Sequence, residues 1–209
     1  MSTTLGLSLP PEWRTVPLDG PGFDAFVVEQ RHVLARRGEL TPGAQRQFEE
    51  ILRRLRDDAV AGAVELLAVF AAAIDTPTGA GLLAATCSLS TLTQSSLGTE
   101  LPITVNMLLA ACTREVSGDT AGGVVPASPG IIDLPAGRTA HLVQRTSDPH
   151  AGGGLLSHHY VVPFDEGRRA ALLALATPNH EFAGLIGELF ERIAMTLRVP
   201  MLAAPAAAR

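Results

Sequence analysis

Four of the six histidines lie near one another in the sequence, and their types and spacing are the ones best suited to chemistry. His150, His158 and His159 fall within ten residues, His141 lies on the preceding predicted strand, and Asp148 is beside His150. Imidazole and carboxylate groups are common zinc ligands. Adjacent residues of a strand point to opposite faces, so at most one of His158 and His159 can join His141. We therefore expect polar residues on a solvated sheet face, with no metal site and no bound cofactor.

A serine hydrolase arrangement can be drawn from the same region. Ser157, His159 and Asp148 are the three residue types of a catalytic triad. A triad also needs an exposed nucleophile and an oxyanion hole, and no glycine-flanked serine elbow surrounds Ser157. We expect no triad here.

The paired carboxylates are a third candidate for acid–base chemistry. Glu49–Glu50 and Asp57–Asp58 fall on a predicted helix among arginines. Neighbouring residues diverge by about 100° around a helix, so neither pair is poised as an acid–base couple. They are typical of a salt-bridged surface.

Several classes of enzyme are excluded by absent residues and motifs. All 16 basic residues are arginine, which removes Schiff-base lysines and the phosphate-binding lysine of a P-loop. The sequence has no dinucleotide fingerprint, HExxH helix or CxxC pair. Gly152–Gly154 follows no strand-to-helix pattern and is predicted to be a flexible connector. We expect a protein that is not an enzyme.

Composition bounds the class of protein and its location. The 209 residues are 46% hydrophobic and 18% charged, which favours one folded domain over disorder. A net charge of −5 argues against a nucleic-acid-binding domain. The opening residues lack the pattern of a signal peptide, and the longest apolar run, Leu66 to Ile74, is too short for a membrane helix. The expected location is the cytoplasm.

The two cysteines, Cys87 and Cys112, both lie in apolar segments. Burial as small hydrophobic side chains is the favoured state, and a disulfide between them stays open as an alternative. Two cysteines are too few for a structural zinc site.

The first half of the chain predicts an extended arm, two helices and a hairpin. Prolines keep the arm extended, and Trp13 is expected to hold it against the domain. Asp24 is the expected cap of the first helix, and Thr41 and Pro42 begin the second. Periodicity cannot separate helix from buried strand over residues 64–74, but the turn at 76–79 and the alternation over 82–93 favour two strands.

The second half predicts a helix, four strands and a final helix. The helix covers about 102–116, and the hairpins are 131–134 with 138–146 and 155–163 with 168–176. A long apolar stripe then marks a helix over 179–197, with Phe182, Leu185, Ile186, Leu189, Phe190 and Ile193 expected in the core.

These elements together predict an α+β fold. Strands joined by short turns are antiparallel, and the helices must cover their apolar faces. We expect an antiparallel sheet of about five to six strands flanked by helices, in one domain over residues 1–199. The alanine- and proline-rich tail, 200–209, is expected to be disordered.

Several short segments resemble uncharacterised actinobacterial proteins of a PsbP-like type. The resemblance lies in Leu9–Trp13, Ile132–Arg138, Tyr160–Pro163, Ala176–Pro178 and Ile193–Arg198. It implies an α/β/α sandwich with an antiparallel sheet. Members of that broad group are mostly non-enzymatic binders, assembly factors and secretion-effector chaperones. The matching segments are turns and strand ends, so no catalytic residue is carried over.

The favoured function is a protein-binding adaptor or chaperone, with a specialised secretion or assembly system as a candidate setting. Its partner is a protein of unknown identity, and a second copy of the chain is a further candidate. The binding surface is expected near His141, Val143 and His159, or at the edge of the 64–74 strand. A small-molecule or lipid binder with a cleft between sheet and helices is the alternative. A hydrolase or metal enzyme built on His141, His150 and His159 is the third hypothesis.

Overall fold

The computed structural model describes residues 4–37, 42–76, 79–110, 125–148 and 153–200. The strands form an antiparallel sheet of seven in the order β1-β2-β3-β7-β6-β5-β4, which confirms the α+β class. The sheet is larger than the five to six strands expected. The strands are β1 Arg14–Thr15, β2 Val64–Thr76, β3 Gly79–Thr93, β4 Val125–Leu134, β5 Gly137–Asp148, β6 Gly153–Phe164 and β7 Arg169–Thr177.

Four helices accompany the strands in the described part of the chain. They are α1 Gly20–Arg37, α2 Pro42–Ala61, α3 over residues 105–110 and α4 Ala183–Ala194. The expected end of α3 near residue 116 lies outside the described residues. None of the described helices is long and apolar enough to cross a membrane.

The chain divides into two compact units. One comprises residues 11–89, and the other comprises the residues up to Pro10 together with those from Ser90 onward. The single domain expected over 1–199 stays a prediction. The tail expected to be disordered lies outside the described residues beyond Pro200.

The 11–89 unit has its core where the two helices meet the first strands. The buried side chains are Val16, Phe23, Phe26, Val27, Leu52, Ala59 and Leu67. The cap of α1 is Asp19 and not the expected Asp24, because the carboxylate of Asp19 accepts a 2.8 Å hydrogen bond from the backbone N–H of Gly22 in the first turn. Asp24 instead lies 3.6 Å from the guanidinium of Arg53.

The open question about residues 64–74 is answered by the structure, since β2 is a strand of 13 residues. It begins at Val64, shortly after α2, which ends at Ala61. Cys87, on β3, is buried as expected, and burial raises the pKa of its thiol to about 12. The alternative, a disulfide between the two cysteines, stays a prediction because Cys112 lies outside the described residues.

In the other unit, β4 to β7 form an antiparallel array. Strand β4 has a bulge between Ala127 and Gly130. The expected flexible connector is in fact partly strand: Gly153 and Gly154 open β6, opposite Asp148 and Ser147. Glycine is required at 154, since a Cβ there would lie 2.9 Å from the carbonyl oxygen of Thr146.

Helix α4 packs on this array through part of the predicted stripe. Ile186, Phe190 and Ile193 are buried, which agrees with their expected place in the core. Leu185 is 66% exposed, so its assignment to the core was wrong. The helix begins at Ala183, after a 3-10 turn at His180–Phe182, and Leu185 lies on its solvent side.

Candidate functional site

Two of the sequence-predicted histidines meet on one face of the β5–β6 pair. The strand register places His141 opposite Tyr160, and the two rings stack with centroids 4.5 Å apart and planes 8° from parallel. His141 Nε2 lies 3.3 Å from His158 Nδ1, while the Tyr160 hydroxyl lies 3.5 Å from the same nitrogen. We call these three residues the histidine cluster. Helix α4 covers it through Phe190, whose ring meets that of His158 edge-on at 5.4 Å.

The electrostatics of the histidine cluster favour neutral rings. Burial lowers the pKa of His158 to about 4, and nearby His141 and His159 act in the same direction. Burial also lowers the pKa of His141, against an opposing effect of the Glu191 carboxylate. The pKa of the Tyr160 hydroxyl is raised by burial and then by Glu191. At neutral pH the cluster is therefore an uncharged aromatic layer in which His158 Nδ1 can accept a hydrogen bond.

The other face of β6 carries His159, which lies apart from this cluster. Its Nε2 atom lies 3.1 Å from the hydroxyl oxygen of Ser157, and burial lowers its pKa. Asp148 pairs with Gly153, six positions along β6 from His159, which is about 20 Å of strand. The carboxylate needed for a triad is therefore too far away, and Ser157 itself is only 8% exposed.

The expected partner surface of His141, Val143 and His159 does not form one surface. Val143 pairs with His158, so it lies on the same face as His141. His159 is on the opposite face because successive strand residues alternate. Contact of either face with a partner stays a prediction.

The histidines of the third hypothesis, a hydrolase or metal enzyme, are only partly brought together. Among the described residues no three histidine, cysteine, aspartate or glutamate side chains are grouped so that they could hold a metal ion. His141 and His158 are close, His159 is on the other face, and His150 lies outside the described residues.

A shallow polar cavity of about 620 Å³ lies beside the end of β3. It is lined by Thr93, Gln94, Ser95, Gly98, Thr99, Glu100 and Arg168. The Thr93 hydroxyl is within 2.9 Å of the Ser95 hydroxyl, and Arg168 forms a 2.7 Å ion pair with Asp165. These polar groups bond mainly to one another, so the cavity has few free groups for a ligand.

The edge of β2 that faces β1 is covered along only a small part of its length. Strand β1 has two residues and covers only Val69 and Ala68 of the 13 in β2. The backbone N–H of Val16 extends this contact with a 2.8 Å hydrogen bond to the carbonyl of Leu67. Within the described ranges no other strand borders this side of β2.

The register shows which backbone groups of β2 this edge presents. Residues 16 and 67 form a hydrogen-bonded pair, so pairs two positions on are also hydrogen-bonded, as for Arg14 with Val69. The same alternation directs the N–H and C=O of Ala71, Ala73 and Asp75 outward. The sequence indicated the 64–74 edge but not these three residues. The missing information was the two-residue strand β1, whose pairing shows which residues of β2 direct their backbone groups outward.

The comparisons with known proteins give matches among solved structures. No family model and no curated protein matches the chain, so membership of a PsbP-like group stays a prediction. The chain is similar to the crystal structure of LpqN, described as involved in cell envelope biogenesis of Mycobacterium tuberculosis. The TM-score is 0.49 at 13% sequence identity, covering 95% of this chain and 84% of LpqN.

Proposed function

We propose that the protein is a non-enzymatic adaptor or chaperone that binds an extended segment of a partner protein along the free edge of β2. The observation that carries this proposal is the outward-facing backbone of Ala71, Ala73 and Asp75. Within the described ranges, β1 is the only strand on this side of β2, and it does not reach these three residues. An added strand would satisfy these groups and bury the edge, which is the usual chemistry of strand addition.

The composition of the edge also favours its use by a partner. Natural proteins usually protect a free edge with charged residues, proline or a bulge. Between Glu65 and Asp75 β2 has none of these, since its residues are leucine, alanine, valine, phenylalanine and isoleucine. An unprotected apolar edge of this length is prone to aggregation unless another segment covers it.

The site chemistry gives less support to the other hypotheses. The histidine cluster is neutral and lies beneath α4, and the Ser157–His159 pair lacks a nearby Asp148, so a hydrolytic role gains nothing from the geometry. The cavity beside the end of β3 is open to solvent, unlike the enclosed apolar sites typical of lipid ligands. The proposal includes no cofactor, and it keeps the cytoplasm as the expected location.

The test uses an added charge on the edge and the same charge elsewhere. Ala71 is exposed on β2, and Val60 is 53% exposed on α2 of the same unit. We expect A71K to capture at least tenfold less partner protein from native lysate than the parent does. The reason is that a lysine on the edge opposes an incoming strand. V60K should retain that partner, and both variants should melt close to the parent.

A proline pair makes the test specific for the backbone. Ala71 directs its N–H outward, whereas the N–H of Ala72 points toward β3. A71P should fold and lose partner binding, while A72P should lose stability. Undiminished capture by A71K and A71P would overturn the proposal.

A further inference from the structure

The contact between His141 and His158 can hold one added proton but not two. His141 Nε2 lies 3.3 Å from His158 Nδ1, so one of these nitrogens donates its N–H and the other accepts. The first added proton can occupy the far nitrogen of the donor ring, and the hydrogen bond remains. A second added proton makes both facing nitrogens donors, because a charged imidazole carries a hydrogen on each nitrogen. Two cations would then face each other with no hydrogen bond between them.

The surroundings of His158 give a second charge little relief. The Tyr160 hydroxyl oxygen lies 3.5 Å from His158 Nδ1, which is at the outer limit of hydrogen-bond distance. Burial, His141 and His159 all lower the pKa of His158. Each of these effects favours the neutral ring.

The charged and titratable groups on the elements packed around His158 do not offset this penalty. Those groups are Arg145 of β5, His180 and Glu181 of the 3-10 turn before α4, and Glu188, Glu191 and Arg192 of α4, all of them exposed. Strand β7 places Leu175 opposite His158. Glu191 acts on the pKa values of His141 and Tyr160, but none of these groups is among those that shift the pKa of His158.

Helix α4 lies directly over His158 through two residues that have no side-chain acceptor. A Cβ added at Gly187 would lie 3.8 Å from His158 Cε1. The Phe190 ring meets the imidazole edge-on, with centroids 5.4 Å apart. His141 is half-buried and can be hydrated in place, whereas His158 is only 8% exposed. A charged His158 can therefore be hydrated only if α4 moves away.

The chain that follows α4 is anchored without the histidines. The Thr196 hydroxyl accepts a 3.0 Å hydrogen bond from the N–H of Ser8 and lies 2.9 Å from the Ser8 carbonyl oxygen. The N–H groups of Gly6 and Arg198 each donate to the carbonyl of the other residue, at 2.9 and 2.8 Å. All four residues belong to the same compact unit as α4. These contacts do not depend on α4 itself, so the helix can move while they stay in place.

We propose that the histidine cluster is an acid-sensitive latch, in which a second proton on the His141–His158 pair displaces α4 from the β5–β6 pair. Displacement uncovers the apolar side of α4, with Ile186, Phe190 and Ile193. Because the pKa of His158 is about 4 in the fold and 6.5 when unperturbed, the closed latch is favoured in full above pH 6.5 and less as the pH falls toward 4. The latch adds regulation by acid and does not depend on the edge of β2, which lies in the other compact unit.

The test is hydrogen exchange of the full chain at pH 7.5 and 4.5, with the protection of each amide corrected for its intrinsic exchange rate. From pH 7.5 to 4.5 we expect the amides of residues 187–194 to lose at least tenfold in protection. At pH 4.5 they should be at least tenfold less protected than the amides of β7, and low urea should change their exchange only weakly. This pattern indicates that α4 opens while the sheet stays folded.

Three variants locate the effect. H158Q should lose less than threefold in α4 protection over the same pH range, because glutamine gains no proton. H141Q should show a smaller acid effect than the parent, since a neutral amide replaces the facing cation while burial still opposes a charge on His158. The control H180Q removes an exposed histidine beside α4 and should behave as the parent does.

Two kinds of result would overturn the latch. Equal protection and equal urea dependence of α4 and β7 at pH 4.5 would show that α4 opens only in global unfolding. An acid effect of parental size in H158Q, or in H141Q if H158Q does not fold, would show that the histidines are not the sensor. Neither result bears on partner capture by the edge of β2.

Discussion

Acidification should destabilise the fold through His158, which is only 8% exposed. The groups that face it are the rings of Phe190 and Tyr160 and the imidazole of His141, with Glu191 acting on the latter two. Burial disfavours a positive charge at His158, and the nearby imidazoles of His141 and His159 act in the same direction. Protonation there would leave an imidazolium beneath α4.

The magnitude follows from the difference in proton affinity between the two states. The pKa is 6.5 for an ordinary histidine and about 4 for His158 in the fold. The folded state thus binds the proton less well, so the neutral ring contributes stability in full above pH 6.5 that is lost as the pH falls toward 4. At about 1.36 kcal/mol per pKa unit the loss reaches about 3 kcal/mol, a large share of the 5–15 kcal/mol typical of a domain.

The assay is urea unfolding at pH 7.5, 6.0, 5.0 and 4.5. Near-ultraviolet circular dichroism of Tyr160, the only tyrosine, reports on the unit that contains the cluster. The parent should lose about 2.5 kcal/mol more than H158Q across this range, because glutamine has no proton to gain. The control H180Q removes an exposed histidine of the same unit and should follow the parent. Equal pH dependence in H158Q and the parent would refute the reasoning.

Two further predictions concern stability. F190A should lower the free energy of unfolding by about 3–5 kcal/mol, because that ring is fully buried. L185A, at a 66% exposed position, should change the free energy of unfolding by less than about 0.5 kcal/mol in the same urea titration. The single tryptophan and the single tyrosine lie in different compact units, so each reports on the unfolding of its own unit. If residues 1–199 form one domain, the two probes should give the same unfolding midpoint. Separated midpoints would contradict the single domain.

Much of the secondary structure could be predicted because local signals agreed. One helix was favoured by a threonine and a proline at its expected start and by the apolar spacing that follows. Helix α2 forms there, over Pro42–Ala61. The choice of strand for 64–74 depended on the turn that follows it, and this choice was right. Strand β1 was missed because two residues carry no detectable periodicity.

The candidate sites were harder to predict because they depend on register. A short turn over 135–137 limits how β4 and β5 can pair, but the connection between β5 and β6 is longer and has no defined turn type in the sequence. Alternation alone separated His158 from His159, yet it could not select which one meets His141. Leu185 was misplaced for a related reason: its stripe does not show where the helix starts.

The bulge in β4 has a consequence for polymerisation. Pro126 and Pro129 lie in that strand, and neither has a backbone N–H. Open filaments assembled head to tail require two different surfaces on each molecule that fit one another. The edge of β2 is the proposed acceptor of a strand, and a proline-interrupted, bulged β4 is a poor strand to offer it. Strand addition in this protein should therefore stop after one event, giving complexes of fixed size rather than fibres.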